Sequence, residues 1–337
     1  MIKNNKFFIP NIKNIIFFGE SANLKNLIKI NKSLKIKTLL ITTISQSKNI
    51  SSEINFKIFN SIDKNCKNYI LKNFKIEETL FISLGARYIF KKDTINNFFL
   101  NNLVNFHGSR LPLDAGGGGI SWRIMSEDRI ENQLVHLINE NIDSGPILDV
   151  ETSIFPASCK IPKDFYDYSA NRFVKFYQNF IKKIVNKEYF DLFNQINYLG
   201  KYFPRLNSKI NGFINWDLPS YDLVNFINSF DDPYDGASTF LNRENFGKLF
   251  IKSVHLHGGE IPNHPFMSGI ITRHDKKWLV VSTANRHSLL IEKVINSKGE
   301  NIINNIKIGD RLYTPHKFLY AAKDTRIRYK SAGLSNF

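Results

Sequence analysis

The sequence has little of what disulfide-linked, secreted or membrane-spanning proteins need. Its two cysteines, Cys66 and Cys159, cannot form a disulfide framework and lack the spacing of a metal site. No segment approaches the roughly 18 to 20 consecutive apolar residues that span a bilayer. Pro10 and polar asparagines interrupt the N-terminal stretch, and no small-residue cleavage site follows it. We therefore expect a cytoplasmic protein with reduced thiols, no signal peptide and no membrane association.

Acidic residues are also scarce relative to basic ones. The chain has 30 Asp and Glu against 46 Lys and Arg, which gives a net charge of +16. A basic protein can bind nucleic acid or another polyanion. The lysines are scattered over every segment, however, and Lys, Asn, Ile and Phe are abundant throughout, as a coding bias would produce. We therefore interpret the dispersed positive charge as favouring solubility rather than as a binding surface for nucleic acid.

What the first third of the chain does have is an alternation of strand and helix patterns. Near-continuous apolar runs in the strands predict a doubly wound, mostly parallel α/β sheet covered on both faces. Ligands of such sheets bind beyond the carboxyl ends of the strands, where Gly19, Gly85 and His107 would lie. The predicted strands are 14–21, 37–45, 55–60, 79–86 and 103–107, and the predicted helices are 22–34, 64–74 (capped by Asp63) and 93–99 (capped by Asp93).

The rest of the chain predicts a second, smaller domain. A helix at 120–127, strands at 133–138 and 146–155 and a long Phe-rich helix at 163–185 complete the first domain. Later strand-like runs, separated by Gly, Pro and Asn, follow a short helix at 221–230 and predict a β-barrel-like domain, with strands at 248–256, 269–273, 278–282 and 288–295. We predict a catalytic domain at 1–187, a linker at 188–211, the barrel-like domain at 212–322 and a basic, partly loose tail at 323–337.

Three polar side chains are candidates for acyl-transfer chemistry. Asn105 and His107 lie two residues apart at the carboxyl end of a predicted strand, so their side chains point the same way. An Asn amide and a His imidazole can both donate hydrogen bonds to an oxyanion, and a carboxylate such as Asp143 can orient the His or accept a proton. Asp143 reaches them only if its turn folds back over the strand end. Neither Ser nor Cys occurs in a nucleophile-elbow pattern, which favours direct transfer without a covalent enzyme intermediate.

These residues also carry a family resemblance. The pattern N-x-H-G-S-x-L-P at 105–112, a helix bearing Trp122, and D-S-G-P-I at 143–147 closely resemble the folate-dependent formyltransferases. That family includes methionyl-tRNA formyltransferase, the glycinamide ribonucleotide enzyme and the amino-sugar N-formyltransferases. The resemblance implies that Asn105 and His107 polarise the formyl group of N10-formyltetrahydrofolate, that Asp143 serves as general base or proton carrier, and that no metal is needed.

The resemblance also implies where the folate co-substrate binds. In the family, the pterin pocket is made largely from the backbone of two segments. The matching residues here are Gly85, Ala86, Arg87, Tyr88, Ile89, Asn139, Glu140, Asn141 and Ile142.

Similar landmarks continue into the second domain. F-I-N-W at 213–216, P-Y-D-G-A at 233–237 and G-D-R-L-Y-T-P at 309–315 resemble motifs of the C-terminal domain of methionyl-tRNA formyltransferase and several sugar formyltransferases. The glycinamide ribonucleotide enzyme lacks that domain. The resemblance therefore favours the two-domain members.

The departures from the family bear on the formyl acceptor. The transfer-RNA enzyme typically carries a basic loop after its second strand, whereas residues 42–54 here are Ser-rich with one Lys, which suits phosphate contacts poorly. The glycine run at 116–119 is either a phosphate-binding turn or a flexible one. The segment Y-F-P-R at 202–205 matches one common in sugar formyltransferases. Our candidate substrate residues are Arg110, Asp114, Gly116, Gly117, Gly118, Trp122, Tyr202 and Arg205.

From the sequence we therefore expect formyl transfer to the amine of a nucleotide-linked amino sugar, an activity of lipopolysaccharide biosynthesis. Methionyl-tRNA formyltransferase and a formyltetrahydrofolate hydrolase are alternatives, and RNA binding without catalysis rests on the net charge alone. His255, His257 and His264 do not predict a metal site, since no fourth ligand is evident. The expected partner is the small nucleotide sugar, and a homodimer is an expectation from the resemblance.

Overall fold

A computed structural model describes residues 2–3, 5–117, 119–196, 200–243, 246–258, 262–330 and 333–336. The chain forms two compact units that are discontinuous in sequence. The first unit comprises Met1–Ala115, Ile130–Ile154 and Tyr168–Tyr202, and the second comprises Gly116–Arg129, Phe155–Asp167 and Phe203–Phe337. Two stretches within the predicted catalytic domain, 116–129 and 155–167, thus group with the second unit. In the part of the chain that is described, no helix is long and apolar enough to cross a membrane.

The elements up to residue 203 follow the predicted alternation of strands and helices. They are β1 (Ile2–Lys3), β2 (Lys6–Phe7), β3 (Asn14–Gly19), α1 (Leu24–Ser33), β4 (Lys37–Thr42), α2 (Ile44–Ser47), β5 (Phe56–Ile58), α3 (Lys64–Asn73), β6 (Thr79–Leu84), β7 (Leu103–His107), β8 (Asp114–Gly116), α4 (Gly119–Met125), β9 (Ile130–Leu137), β10 (Ile147–Ile154), α5 (Pro162–Val185), β11 (Phe190–Asp191) and β12 (Lys201–Phe203).

The first unit is built on a seven-stranded sheet with the order β10-β9-β7-β6-β3-β4-β5. Strands β3 to β7 pair in parallel. Strand β9 pairs antiparallel with β7, and β10 pairs antiparallel with β9, so β10 again runs in the direction of β3 to β7. Helices cover both faces of the sheet, because consecutive side chains of β3 pack into two different hydrophobic cores. Phe17 packs in one core with Tyr177 of α5, and Phe18 packs in the other with Ile70 of α3. The predicted mixed α/β fold with a parallel-rich sheet is confirmed.

Two predicted helix caps have different outcomes. Asp63 caps α3, because its carboxylate accepts a hydrogen bond of 3.0 Å from the backbone N–H of Cys66. The predicted cap at Asp93 is wrong: this residue has helical dihedral angles and its side chain makes no cap bond. The turn that follows, over Thr94–Phe98, is π-helical. Sequence patterns based on a 3.6-residue repeat do not register the wider π turn.

The second unit contains the predicted all-β sheet. Its remaining elements are α6 (Ser208–Asn211), α7 (Ser220–Asn228), β13 (Ala237–Leu241), β14 (Lys248–His257), β15 (Ile271–His274), β16 (Leu279–Ser282), β17 (Ser288–Ile295), β18 (Leu312–Tyr313), α8 (His316–Asp324), β19 (Ile327–Lys330) and β20 (Gly333–Asn336).

Six of these strands form a curled antiparallel sheet with the order β15-β16-β17-β14-β13-β18. Leu223 and Ile227 of α7 are fully buried in its core. The sequence patterns did not predict β13 or α8. Within the predicted tail, Ile327–Lys330 and Gly333–Asn336 pair antiparallel.

Candidate active site

Strands β7 and β9 place Asn105 beside a histidine that the sequence reasoning missed. Their antiparallel register sets Asn105 directly opposite His136. The Nδ2 atom of Asn105 lies 3.1 Å from Nε2 of His136, whose ring is only 2% exposed. The signal in the sequence was a single imidazole between Val135 and Leu137 in the apolar half of a strand. Only the pairing of the two strands reveals that this imidazole faces the candidate site.

Hydrogen bonding and burial make His136 a neutral acceptor at its Nε2 atom. Its Nδ1 lies 2.8 Å from the carbonyl oxygen of Leu137, which can only accept, so Nδ1 carries the proton. The pKa of His136 is lowered, chiefly because burial disfavours the charged ring and also because His107 is near. The Leu137 carbonyl and Asp143 oppose that shift. Nε2 therefore accepts one N–H of the Asn105 amide, and the second N–H of that amide can serve a ligand.

The turn that carries Asp143 does fold back over the end of the sheet. Its Oδ1 lies 3.7 Å from Nε2 of His136, and its side chain is 28% exposed. A close backbone approach produces this fold-back. A Cβ on Gly145 would lie 1.8 Å from the carbonyl oxygen of Leu137, so only glycine fits there. The backbone N–H of Leu137 donates to the carbonyl of Pro146 at 2.9 Å and closes the turn.

His107 also lies near the imidazole of His136. The ring centroids of His107 and His136 are 6.3 Å apart, with the planes at 75°. The predicted residues Asn105, His107 and Asp143 are thus gathered around one buried ring. The cluster offers an oriented amide N–H, an imidazole and a partly exposed carboxylate, which are the groups that acyl transfer to an amine requires.

The two predicted folate segments lie beside this cluster and are joined to each other. An ion pair of 3.1 Å between Lys92 and Glu140 links the chain after β6 to the loop after β9. Ile89 and Ile142 expose 82% and 92% of their surface, so each segment carries one exposed apolar side chain. Gly85 has a φ of +55°, and its carbonyl accepts from Nε2 of Gln46 at 2.9 Å.

The other residues predicted for folate are mostly engaged within the protein. The Tyr88 hydroxyl donates to the Phe59 carbonyl at 2.6 Å, and burial raises the pKa of this Tyr. Arg87 lies 3.3 Å from the Ser45 hydroxyl. The Asn139 side-chain oxygen accepts from the Asn141 backbone N–H at 3.0 Å. Ala86 is half-buried. These contacts fix the shape of the two segments, which suits recognition through the backbone.

Two predicted substrate residues pair with each other. The Nε atom of Arg110 lies 2.7 Å from Oδ2 of Asp114, with both side chains mostly buried. The acidic residue therefore neutralises the basic one within the protein. Tyr202, in β12, is 62% exposed.

The remaining predicted substrate residues lie in the second unit, apart from Gly118, which is outside the described residues. Gly116 has a φ of +106°, and a Cβ there would lie 2.2 Å from the Phe203 carbonyl oxygen. A Cβ on Gly117 would lie 3.0 Å from Nε of Arg205. The Trp122 indole donates to the Pro204 carbonyl at 2.8 Å. Close backbone approach thus accounts for the glycine at 116.

The three histidines of the second unit have separate surroundings. His255 is 3.5 Å from Glu292, His257 is 2.9 Å from Arg273, and Nδ1 of His264 accepts from the backbone N–H of Phe266. Among the described residues, no group of three or more His, Cys, Asp or Glu side chains could hold a metal ion.

The depressed pKa of His136 predicts a pH-dependent stability. The unfolded chain binds a proton on this His as pH falls below about 6.5, whereas the lowered pKa means that the folded chain binds it only at a lower pH. The free energy of unfolding should therefore decrease below that pH, by at most about 1.4 kcal/mol per pH unit from this group. Urea unfolding of wild type and a His136→Gln variant between pH 8 and 5 tests this. Equal slopes in the two proteins would contradict it.

Comparison with known proteins supports the resemblance seen in the motifs. Residues 207–305 match the family model described as "Formyl transferase, C-terminal domain". A cytosolic 10-formyltetrahydrofolate dehydrogenase of Xenopus laevis is 28% identical over 161 residues, which cover 44% of this chain and 17% of that protein. A methionyl-tRNA formyltransferase of Prochlorococcus marinus subsp. pastoris is 24% identical over 210 residues, which cover 58% of this chain and 61% of the relative. The chain thus spans less than two thirds of the length of either relative.

A solved structure shares the fold over most of the chain. It is the N-formyltransferase from Helicobacter canadensis in complex with folinic acid and dTDP-3-aminofucose. The TM-score is 0.59 at 18% sequence identity, and the match covers 83% of this chain and 99% of that one.

Proposed function

Because the chain belongs to the folate-dependent formyltransferase family, we propose that it transfers a formyl group from N10-formyltetrahydrofolate to the amine of a nucleotide-linked amino sugar. The observation that carries this proposal is the cluster around His136. It unites the family's Asn, His and Asp positions at the carboxyl end of β7, next to the two folate segments. The likeness to an enzyme bound to dTDP-3-aminofucose favours an amino sugar as acceptor.

The residues of the first unit fit a folate co-substrate. Ile89 and Ile142 offer apolar surface on the two segments, and an exposed ion pair joins Lys92, just after the first segment, to Glu140 in the second. The adjoining backbone of 85–89 and 139–142 would bind the pterin through its peptide groups, as the family resemblance implies. The bound co-substrate supplies the formyl carbon that the amine attacks.

Each catalytic residue then has one role in the proposed transfer. Asn105, oriented by His136, donates its second N–H to the formyl oxygen as negative charge develops there. His107, two residues after Asn105 in β7, donates to the same oxygen. Asp143 accepts the proton that the attacking amine loses when the new C–N bond forms, and returns it to N10 as the bond between N10 and the formyl carbon breaks and tetrahydrofolate leaves. The partial exposure of Asp143 leaves its carboxylate accessible to the acceptor.

Two other acceptors are alternatives to an amino sugar. The likeness to a methionyl-tRNA formyltransferase favours a charged tRNA, and a formyltetrahydrofolate hydrolase would use water. The stretch after β4 argues against tRNA, because residues 42–54 hold a single lysine for phosphate contacts. The partly exposed carboxylate of Asp143 is accessible to an incoming amine, and it is equally accessible to water.

Formylation assays with alternative acceptors test the proposal. We expect at least one amino-sugar nucleotide to be formylated with a kcat/KM on the order of 100-fold above that for charged initiator tRNA, since a site built for one acceptor discriminates strongly. Mass spectrometry of the product measures this directly, with an Asn105→Ala protein as the inactive control. Faster formylation of tRNA, or formate release at full rate without any amine, would overturn the proposed acceptor.

A further inference from the structure

We propose that Gln195 is a positioning residue for formyl transfer, acting through the backbone of the turn that carries Asp143. The expected effect on kcat rests on the proposed function. The claim that Gln195 holds the turn rests only on contacts within the first unit. Gln195 lies far along the chain from the turn, in the segment after α5 and β11, and no motif of the sequence pointed to it.

The side-chain amide of Gln195 bridges both sides of the turn. Its Nε2 atom lies 3.0 Å from the carbonyl oxygen of Asp143 and 2.7 Å from that of Gly145. A primary amide has two N–H groups, so a single Nε2 atom can donate to both carbonyls at once. The two bonds fix the Asp143–Ser144 and Gly145–Pro146 peptide groups relative to each other.

The turn needs such support because its backbone is unfavourable. Asp143 has a φ of +51°, a left-handed conformation that is uncommon for non-glycine residues, although Asp and Asn adopt it more readily than most. The local hydrogen bonds of Asn139 with Asn141 and Ser144 hold the start of the loop. The Gln195 amide holds its end, at the residue whose carboxylate has to meet the acceptor amine.

Gln195 is itself held in place by the sheet. Phe193, two residues earlier, forms reciprocal backbone hydrogen bonds of 3.0 and 2.9 Å with Ile147, the first residue of β10. Gln195 also lines a pocket of about 330 Å³ with Pro112, Leu113 and Ile147, whose side chains are apolar. Asn194 lines the same pocket and is the neighbouring residue with a side-chain amide, so it is the natural control for removal of Gln195.

The position of Asp143 affects the chemical step more than binding, so loss of the two bonds should lower kcat and leave the folate KM largely unchanged. For residues that orient a functional group, replacement typically costs about 10- to 100-fold. We expect a loss of that size in a Gln195→Ala protein. A Gln195→Glu protein keeps the side-chain length but places a carboxylate against two carbonyl oxygens, and we expect its kcat to be lower still.

The experiment compares wild type, Gln195→Ala, Gln195→Glu and Asn194→Ala for kcat, for KM of N10-formyltetrahydrofolate, and for hydrogen exchange of the peptide covering 139–146. Asn194→Ala is the matched control, because it changes the adjacent amide of the same segment. The expected result is faster exchange in the 139–146 peptide and a reduced kcat in both Gln195 variants, with wild-type values in the control.

Two results would overturn the proposal. One is unchanged exchange of the 139–146 peptide in both Gln195 variants. The other is a kcat within twofold of the Asn194→Ala protein in variants that remain folded. If wild type formylates no amino sugar, the proposed function fails, and the exchange comparison still decides whether Gln195 holds the turn.

Discussion

An Asp143→Asn protein is expected to transfer formyl groups about 100- to 10,000-fold more slowly than wild type, the range typical for loss of a general base. Asparagine has the shape of aspartate and tolerates a left-handed backbone, so the turn at φ +51° should persist. The amide cannot accept the proton of the attacking amine. The measurement is kcat from product formation, together with the affinity for 5-formyltetrahydrofolate, which should change by no more than a few-fold.

Asp191→Asn is the matched control for this substitution. Asp191 belongs to the same unit but forms an exposed ion pair of 3.3 Å with Lys6. Such surface pairs contribute little to stability, so this variant should keep wild-type kcat. If Asp143→Asn retained a third or more of the wild-type rate, the proton would have to leave by another route, such as water, and the proposed role of Asp143 would be wrong.

The local part of the candidate site could be predicted from the sequence. Asn105 and His107 follow from a strand pattern and a two-residue spacing, and the structure places both beside His136. The parallel sheet follows from the same apolar runs. Both inferences depend on neighbours in the chain, and short-range sequence patterns encode such neighbours well.

The long-range part could not be predicted, because it depends on contacts between distant segments. His136 enters the site through the register of β9 against β7, thirty-one positions along the chain from Asn105. The approach of Asp143 depends on Gly145 meeting the Leu137 backbone. The pairing of Arg110 with Asp114 shows a further limit of sequence patterns. A spacing of four residues is compatible with an ion pair, but the sequence patterns predict each residue as a separate contact to the substrate.

The role of Asn105 can be separated from its effect on stability by comparison with a buried asparagine of the same sheet. Asn132 donates from its Nδ2 to the Thr152 hydroxyl at 2.9 Å, and Asn105 donates in the same way to Nε2 of His136. Removal of the Asn105 amide leaves the buried His136 with one bond fewer, and removal of the Asn132 amide takes a hydrogen bond from a side chain that is itself buried. Each replacement should lower the free energy of unfolding, by about 1–3 kcal/mol.

Only Asn105→Ala should also lower kcat, by about 100- to 1000-fold, the usual cost of losing one donor to a developing oxyanion. The reason is that Asn105 orients its second N–H toward the formyl oxygen, whereas Asn132 pairs with β10. Both variants are assayed for transfer at a temperature where urea titration shows them folded. Equal kcat values in Asn105→Ala and Asn132→Ala would mean that the Asn105 amide only supports His136, and that the oxyanion is stabilised by His107 and the backbone instead.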